Sequence, residues 1–326
     1  MRLRSVFCAA VILLVAGCGS TQKTGQVTTP STAASSTAPS STAAAAAPTG
    51  DEQAIPRTRI SLLVPKGMRV EPSLPGLGRS NSGTSVVVVE QAMDGKPVQE
   101  ALNQAAAGLT SERAKQQGIE LEEPVELRIA GFPAFLTSGT QRVAAGTFGK
   151  VNAMIAADDT LVIITGTLQP GESLTIDDFK KVISGARWSA EAAPGSIGFD
   201  LTAAEGYQRK ESTAAITYNR GEQGGPKLLA APSMGQVRLP EDKRAYAVDR
   251  FAKTPSTPSA DTVTEVTLAG LSGFEMLGRD SKGRTAYAVM VFTETGYILI
   301  MGDFEPAKHG DQLPAFKEMA HSLVLK

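Results

Sequence analysis

The chain has 326 residues, 42% of them hydrophobic and 20% charged, a balance that suits globular units with one or two cores and excludes a disordered polyelectrolyte. Thirty-two basic against thirty-three acidic residues give a formal net charge of -1, without the positive excess of a phosphate-tracking surface, so nucleic acid is not an expected partner. Two cysteines and two histidines leave little material for a zinc site, a disulfide framework or cysteine–histidine catalysis, and no metal or cofactor is expected.

At the N-terminus, Arg2 and Arg4 precede an apolar run from Val6 to Val15 that ends in Val15-Ala16-Gly17-Cys18. A basic start, a short apolar stretch and small residues before a cut form the layout of an export signal. The apolar run covers only about half the roughly 20 residues that a bilayer-crossing helix needs.

The four residues ending at Cys18 resemble the lipobox of bacterial lipoproteins. That resemblance implies cleavage before Cys18, leaving residues 1–17 as the signal peptide, and attachment of diacylglycerol to the Cys18 sulfur. In many bacteria a further acyl chain, often palmitate, joins the new amino terminus. An ordinary secretory signal with a cysteine beside its cut is the alternative. Each buried methylene of an acyl chain contributes about 0.8 kcal/mol, so two or three chains hold a protein on a membrane. Cys8 leaves with the signal and Cys18 is consumed by lipid.

Residues 18–55 carry Ser, Thr, Ala, Pro and Gly, with Lys23 the only charge before Asp51 and no aromatic. Such a segment cannot bury enough apolar surface to offset chain entropy and is expected to be a disordered tether. As a coil it would span about 35 Å, enough to lift the folded modules clear of the headgroups.

The first α+β module is expected over residues 56–190. Ile60 to Val64 and Ser85 to Glu90 read as strands, and Pro97 to Gln117 as a helix with Val98, Ala101, Leu102, Ala105 and Leu109 facing inward. Leu127 to Phe135 reads as strand, Ala-Gly turn, strand, followed by a hairpin over 151–170 with its turn at Asp158-Asp159. A closing helix comes next, with Thr175 as cap, Asp177 and Asp178 at its positive end, and Ile176, Phe179, Val182, Ile183 and Ala186 as one apolar stripe. Trp188 is expected to sit between the modules, and 189–196 to join them.

The second module, residues 191–326, repeats the order. Val266 to Phe274 carries the second Ala-Gly turn, and 287–306 aligns without a gap on 151–170, matching Met290 with Met154 and Gly302 with Gly166. Its helices are read at Arg244 to Phe251 and around Phe316, Met319, Ala320 and Leu323, with Asp311 as cap and Pro314 in the first turn.

Together these elements describe an α+β fold of two tandem modules, each an antiparallel sheet with flanking helices. The order, the Val64-Pro65-Lys66-Gly67 opening, Ala130-Gly131-Phe132-Pro133-Ala134 and the Phe179-Lys180 helix are similar to the PsbP-like fold. That family includes an extrinsic photosystem subunit and periplasmic lipoproteins of the DcrB type. The second module lacks the Pro-Lys-Gly opening and has Leu271-Ser272 in place of Phe132-Pro133. The resemblance implies a non-catalytic binding or assembly role and supplies no site residues.

Motifs for chemistry are sparse. No nucleophile elbow, His-Glu-x-x-His or phosphate loop occurs, and Gly76-Leu77-Gly78 reads as a surface loop. Glu120, Glu122, Glu123 and Glu126 form the densest acidic run but lack calcium-loop spacing, while His309 and His321 read as solvated. No catalytic, cofactor-binding or metal-binding residue is assigned; Cys18 is the one modified residue expected. The favoured function is a cell-envelope lipoprotein that binds an envelope protein or small ligand. The alternative is an envelope serine hydrolase using Lys180 or Lys181 as base. The anchor would place the protein on the outer membrane facing the periplasm in a two-membrane host, and otherwise on the outer face of the plasma membrane. Gly19-Ser20 after the cysteine lacks the aspartate that resembles an inner-membrane retention signal.

Overall fold

The computed structural model describes residues 50–326 except 72–73, 81, 110–113, 116–117, 144–145, 193–194, 222–224, 234–238, 255 and 295. Cys18 and the tether as far as residue 49 lie outside the described residues, and the expected tether end at Ile55 is corrected, since Glu52–Ala54 form a strand and Ile55 is buried in the core.

The first half contains β1 (Glu52–Ala54), β2 (Ile60–Leu63), β3 (Arg69–Val70), β4 (Gly76–Gly78), β5 (Ser85–Ala92), α1 (Val98–Leu109), β6 (Ile119–Leu121), β7 (Val125–Ile129), β8 (Phe132–Val143), β9 (Gly146–Ala157), β10 (Thr160–Leu168), α2 (Ile176–Ser184) and β11 (Arg187–Trp188). The second contains β12 (Phe199–Asp200), β13 (Tyr207–Glu211), β14 (Ile216–Arg220), β15 (Lys227–Pro232), α3 (Lys243–Ala252), β16 (Ser259–Leu268), β17 (Leu271–Arg279), β18 (Thr285–Phe292), β19 (Tyr297–Phe304), α4 (Pro306–His309), α5 (Leu313–His321) and β20 (Val324–Leu325). The fold is therefore mostly antiparallel sheet with few helices, more sheet-rich than the expected α+β class, and it divides into several sheets.

One large sheet runs β3-β4-β5-β10-β9-β8-β6, with β7 also on β8, and the other runs β13-β14-β15-β19-β18-β17-β16. The strand order is the same in both. In the small sheets β1-β2-β11 and β12-β20, β2 and β12 pair with the strands that follow the closing helices α2 and α5.

Alternation decides which face each strand gives to which core. In β9, Val151, Ala153 and Ile155 face the α2 core, while Met154 and Ala156 face the layer beneath α1. In β18, Tyr287, Val289 and Val291 face the α5 core, and Ala286, Ala288 and Met290 face the α3 side.

The hairpins turn where left-handed backbone is available. Ala130 (φ 51°) and Gly131 (φ 85°) join β7 to β8, and Ala269 (φ 49°) and Gly270 (φ 79°) join β16 to β17. Positive φ at both central positions is the geometry that suits the right-handed twist of the flanking strands.

Helix α2 starts with a complete capping box: Thr175 Oγ1 accepts from Asp178 N at 3.1 Å, and Asp178 Oδ2 accepts from Thr175 N at 2.9 Å. For α5 the cap position is Gln312, one residue beyond the expected Asp311, whose carboxylate accepts instead from Leu313 N at 3.0 Å. Pro314 occupies the first turn, where its missing N–H costs nothing. Helix α1 is described from Val98 to Leu109 and Ala114 and Lys115 are again helical, while 110–113 and 116–117 of the expected helix lie outside the described residues.

The halves touch through the β13-β14 turn. Thr213 N donates to Glu90 O at 3.3 Å, Thr213 Oγ1 accepts from Glu90 N at 2.9 Å, and Ala214 is buried in the layer beneath α1. Lys210 Nζ lies 2.6 Å from Asp94 Oδ2 nearby.

Candidate functional site

An open cleft of the second sheet lies beside the N-terminal turn of α3. That helix is fixed by Ala247 and Phe251, both fully buried, whereas Lys243 and Arg244 are exposed. A cleft of about 350 Å³ remains next to its first turn, lined by Lys243, Glu265, Thr267, Ser272, Phe274 and Phe292 among others. The two phenylalanines meet edge to face with centroids 6.3 Å apart, and Lys243 Nζ stands 5.3 Å from the Phe292 centroid. The cleft therefore offers an aromatic floor with a cation on one wall and a carboxylate on the other.

The first sheet shows what normally covers this face. Phe135 opposes Met154 as Phe274 opposes Met290, so the positions are topologically equivalent. Phe135 is buried in the layer formed by Leu102, Ala105 and Leu109 of α1. Helix α3 is shorter, has ten residues and buries two, and leaves Phe274 only partly covered.

Strand β16 runs along the outer side of the same cleft and, among the described residues, pairs only with β17. Asp261, Thr262, Thr264, Glu265 and Thr267 are exposed along it, and one register shift falls between Ala260 and Thr262. The corresponding edge of the first sheet is split into β6 and β7 by Glu122-Glu123-Pro124. A proline and charged residues at an edge discourage further pairing; β16 carries Asp261 and Glu265 but no proline, and it runs unsplit for ten residues.

Solved structures are where likenesses lie. No protein-family model matches the chain, and no curated protein matches it. It is similar to a crystal structure from Bacteroides thetaiotaomicron at 10% identity, over 48% of this chain and 54% of that one, with a TM-score of 0.30. The match thus spans about half of that protein's length. Cyanobacterial PsbP from Synechocystis is similar at 10% identity over 46% of this chain and 98% of that one, TM-score 0.31. The T6SS immunity protein TplEi of Pseudomonas aeruginosa is similar at 12% identity over 84% and 96%, TM-score 0.31. At TM-scores of about 0.3, these likenesses carry no function over to this chain.

On the opposite face of the second sheet, Glu275 accepts from Tyr287 Oη at 2.7 Å and lies 3.4 Å from His321 Nε2 and 3.6 Å from Lys317 Nζ. Burial pushes the Glu275 carboxyl up, but the hydrogen bonds from Tyr287 and His321 and the charge of Lys317 outweigh it and hold the group below its ordinary value. Burial and the neighbouring carboxylate push the Tyr287 phenol up, so it stays a proton donor. This cluster fastens α5 to the sheet, with His321 as one of its members.

The remaining residues singled out by sequence are scattered. Glu120, Glu122, Glu123 and Glu126 are exposed, with Glu122 accepting from Ser138 Oγ at 2.6 Å, and no metal-holding group occurs among the described residues. His309 ends the one-turn helix α4, and its carbonyl accepts from Gln312 Nε2. Lys180 and Lys181 sit half-buried on α2.

Two readings need correction. Gly76-Leu77-Gly78 is the buried strand β4 and not a surface loop; a Cβ on Gly76 would lie 1.9 Å from Val86 O, so glycine is required by the close approach of β5. Trp188 does not bridge the halves: its ring meets Phe132 at 6.0 Å, Arg59 lies over it at 4.4 Å, and its Nε1 donates to Asp158 at 3.2 Å. All three partners belong to the first half.

Sequence reasoning passed over Lys150. It is 5% exposed on β9, and its Nζ donates to Thr167 Oγ1 at 2.8 Å. Lys150 and Asn152 alternate with Val151 and Ala153, the pattern of a strand with one wet face; that the polar face is also covered leaves no mark in the sequence.

Proposed function

We propose that the chain is a lipid-anchored, non-catalytic protein of the cell envelope that binds an extended segment of a second envelope protein along β16. The lipobox-like Val15-Ala16-Gly17-Cys18 supports the anchor, and the tether supports presentation away from the membrane. The observation that carries the binding role is the free ten-residue edge β16 running beside the Phe274-Phe292 cleft. In strand addition, main-chain hydrogen bonds supply affinity and a neighbouring pocket reads alternate side chains. Here the cleft would take one apolar side chain of the partner. The membrane is the second partner, through lipid at Cys18, and the two-membrane and one-membrane locations depend on the anchor alone.

A photo-crosslinking residue in place of Thr264, compared in intact cells with one at Lys253 on the far end of α3, tests this reading. A discrete protein adduct at 264 and none at 253 is expected. Equal labelling at both positions, or none at 264, contradicts it. A serine-reactive fluorophosphonate should leave the protein unlabelled; stoichiometric labelling of one serine would establish the hydrolase alternative.

A further inference from the structure

The α1-facing side of the first sheet ends in a row of covered polar side chains: Thr137, Lys150, Asn152 and Thr167 are each 5% exposed or less, and Thr165 is half-buried beside them. Thr165 Oγ1 donates to Asn152 Oδ1 at 3.0 Å, and Thr137 Oγ1 donates to Glu122 O at 2.7 Å. Lys150 has Thr167 as its one hydrogen-bond partner and no carboxylate in ion-pair reach among the described residues. A buried ammonium with two protons unmatched is costly, because desolvation is offset only by full pairing.

The fold itself does not demand this row. Thr167 opposes Lys150 and Thr165 opposes Asn152 in the first sheet, and by the same register Asp303 opposes Ala286 and Met301 opposes Ala288 in the second. Alanines therefore fill the positions equivalent to Lys150 and Asn152, and Asp303 is ion-paired with Arg284. One sheet of this topology places alanine, opposite an ion-paired Asp303, where the other retains an unpaired cation. A charge retained at a stability cost, where the architecture tolerates alanine, marks a functional group.

We propose that Lys150 is the anchor of a subsite for the carboxylate of a small organic acid, with Thr167 Oγ1 and Asn152 Nδ2 as the neutral donors beside it. The charge selects the class. A single ammonium balances one carboxylate, whereas a phosphate dianion would leave a net negative charge in a covered site. This site is separate from the β16 edge, so its failure leaves the partner-binding reading untouched.

The test tracks the side-chain ¹⁵N resonance of Lys150 in the detergent-solubilised full chain during titration with butanoate, with inorganic phosphate, and with chloride at matched ionic strength. Butanoate should move the resonance saturably at millimolar concentration and raise the pH at which it titrates, whereas chloride should do neither. In Lys150→Met, whose thermal unfolding reports that it is folded, butanoate binding should weaken about ten- to hundredfold, the loss of one charge-assisted hydrogen bond. Absence of saturation with butanoate, saturation with phosphate at equal or lower concentration, or unchanged butanoate affinity in Lys150→Met would overturn the proposal.

Discussion

Gly166 of β10 lies directly beneath the ring of Phe179: a Cβ there would stand 2.4 Å from Phe179 Cδ1. Gly302 of β19 meets Phe316 in the same way: a Cβ there would stand 2.7 Å from Cε2, and also 2.6 Å from the Lys227 carbonyl oxygen of β15. In each half a glycine on the central strand lets the closing helix seat one aromatic against the sheet, and Phe179 and Phe316 are both buried. The bare backbone serves contact here, as it does where Gly76 meets β5.

Gly166→Ala should therefore force Phe179 off its site, and Gly302→Ala should do the same to Phe316. Overpacking of this kind costs about 1–3 kcal/mol. Denaturant unfolding of each variant should show the midpoint shift, and near-wild-type stability in both would mean that the helices reseat without cost.

The recurrence of Gly166 as Gly302 and of Phe179 as Phe316 was visible in the sequence, though not the contact of each glycine with its ring, and the hairpins, Ala-Gly turns and closing helices arise from local chemistry. The shorter strands β3 and β4 were not legible, since their conformation is set by pairing with neighbours rather than by their own residues. The same holds for the candidate site. Nothing in the sequence around Phe274 and Phe292 separates them from a covered position such as Phe135, and only the shortness of α3 leaves their end of the sheet open. Lys150 was missed because alternation reports two faces without saying that both are covered.

Burial pulls the Lys150 amine down to about 8 from 10.5. Below pH 8 the folded and unfolded chains both hold the proton, and the folded state bears the full cost of the buried charge. Between pH 8 and 10.5 the unfolded chain binds a proton that the folded chain has released, so stability rises with pH across that window. Lys150→Met should stabilise the protein by about 1–3 kcal/mol at pH 7, and the gain should fade as pH rises past 8. Urea unfolding at pH 7 and near pH 10 measures it; a destabilised variant at pH 7 would show that the cation has a partner in the folded state.

Ala130 and Ala269 hold left-handed backbone that alanine adopts at a cost. Asparagine tolerates that region and completes an Asn-Gly turn. Ala130→Asn and Ala269→Asn should each stabilise by about 0.5–1 kcal/mol. Thermal unfolding gives the sign, and a loss in both would mean that the turn geometry differs from the one described.

Thr213 is the residue through which the second half holds the end of β5. Thr213→Val keeps the shape but removes the oxygen that accepts from Glu90 N. An unsatisfied buried N–H costs about 1–3 kcal/mol. Hydrogen exchange at Glu90 should accelerate in the variant, and unchanged protection would show that this contact does not hold the halves together.

Intact-mass analysis of the protein purified from cells fed an alkyne fatty acid tests the anchor on which the envelope reading depends. The chain should begin at Cys18, carry two or three acyl chains including the alkyne, and lose both label and membrane association in Cys18→Ser. An unlabelled chain that retains residues 1–17, recovered from the cytosol, would contradict the account.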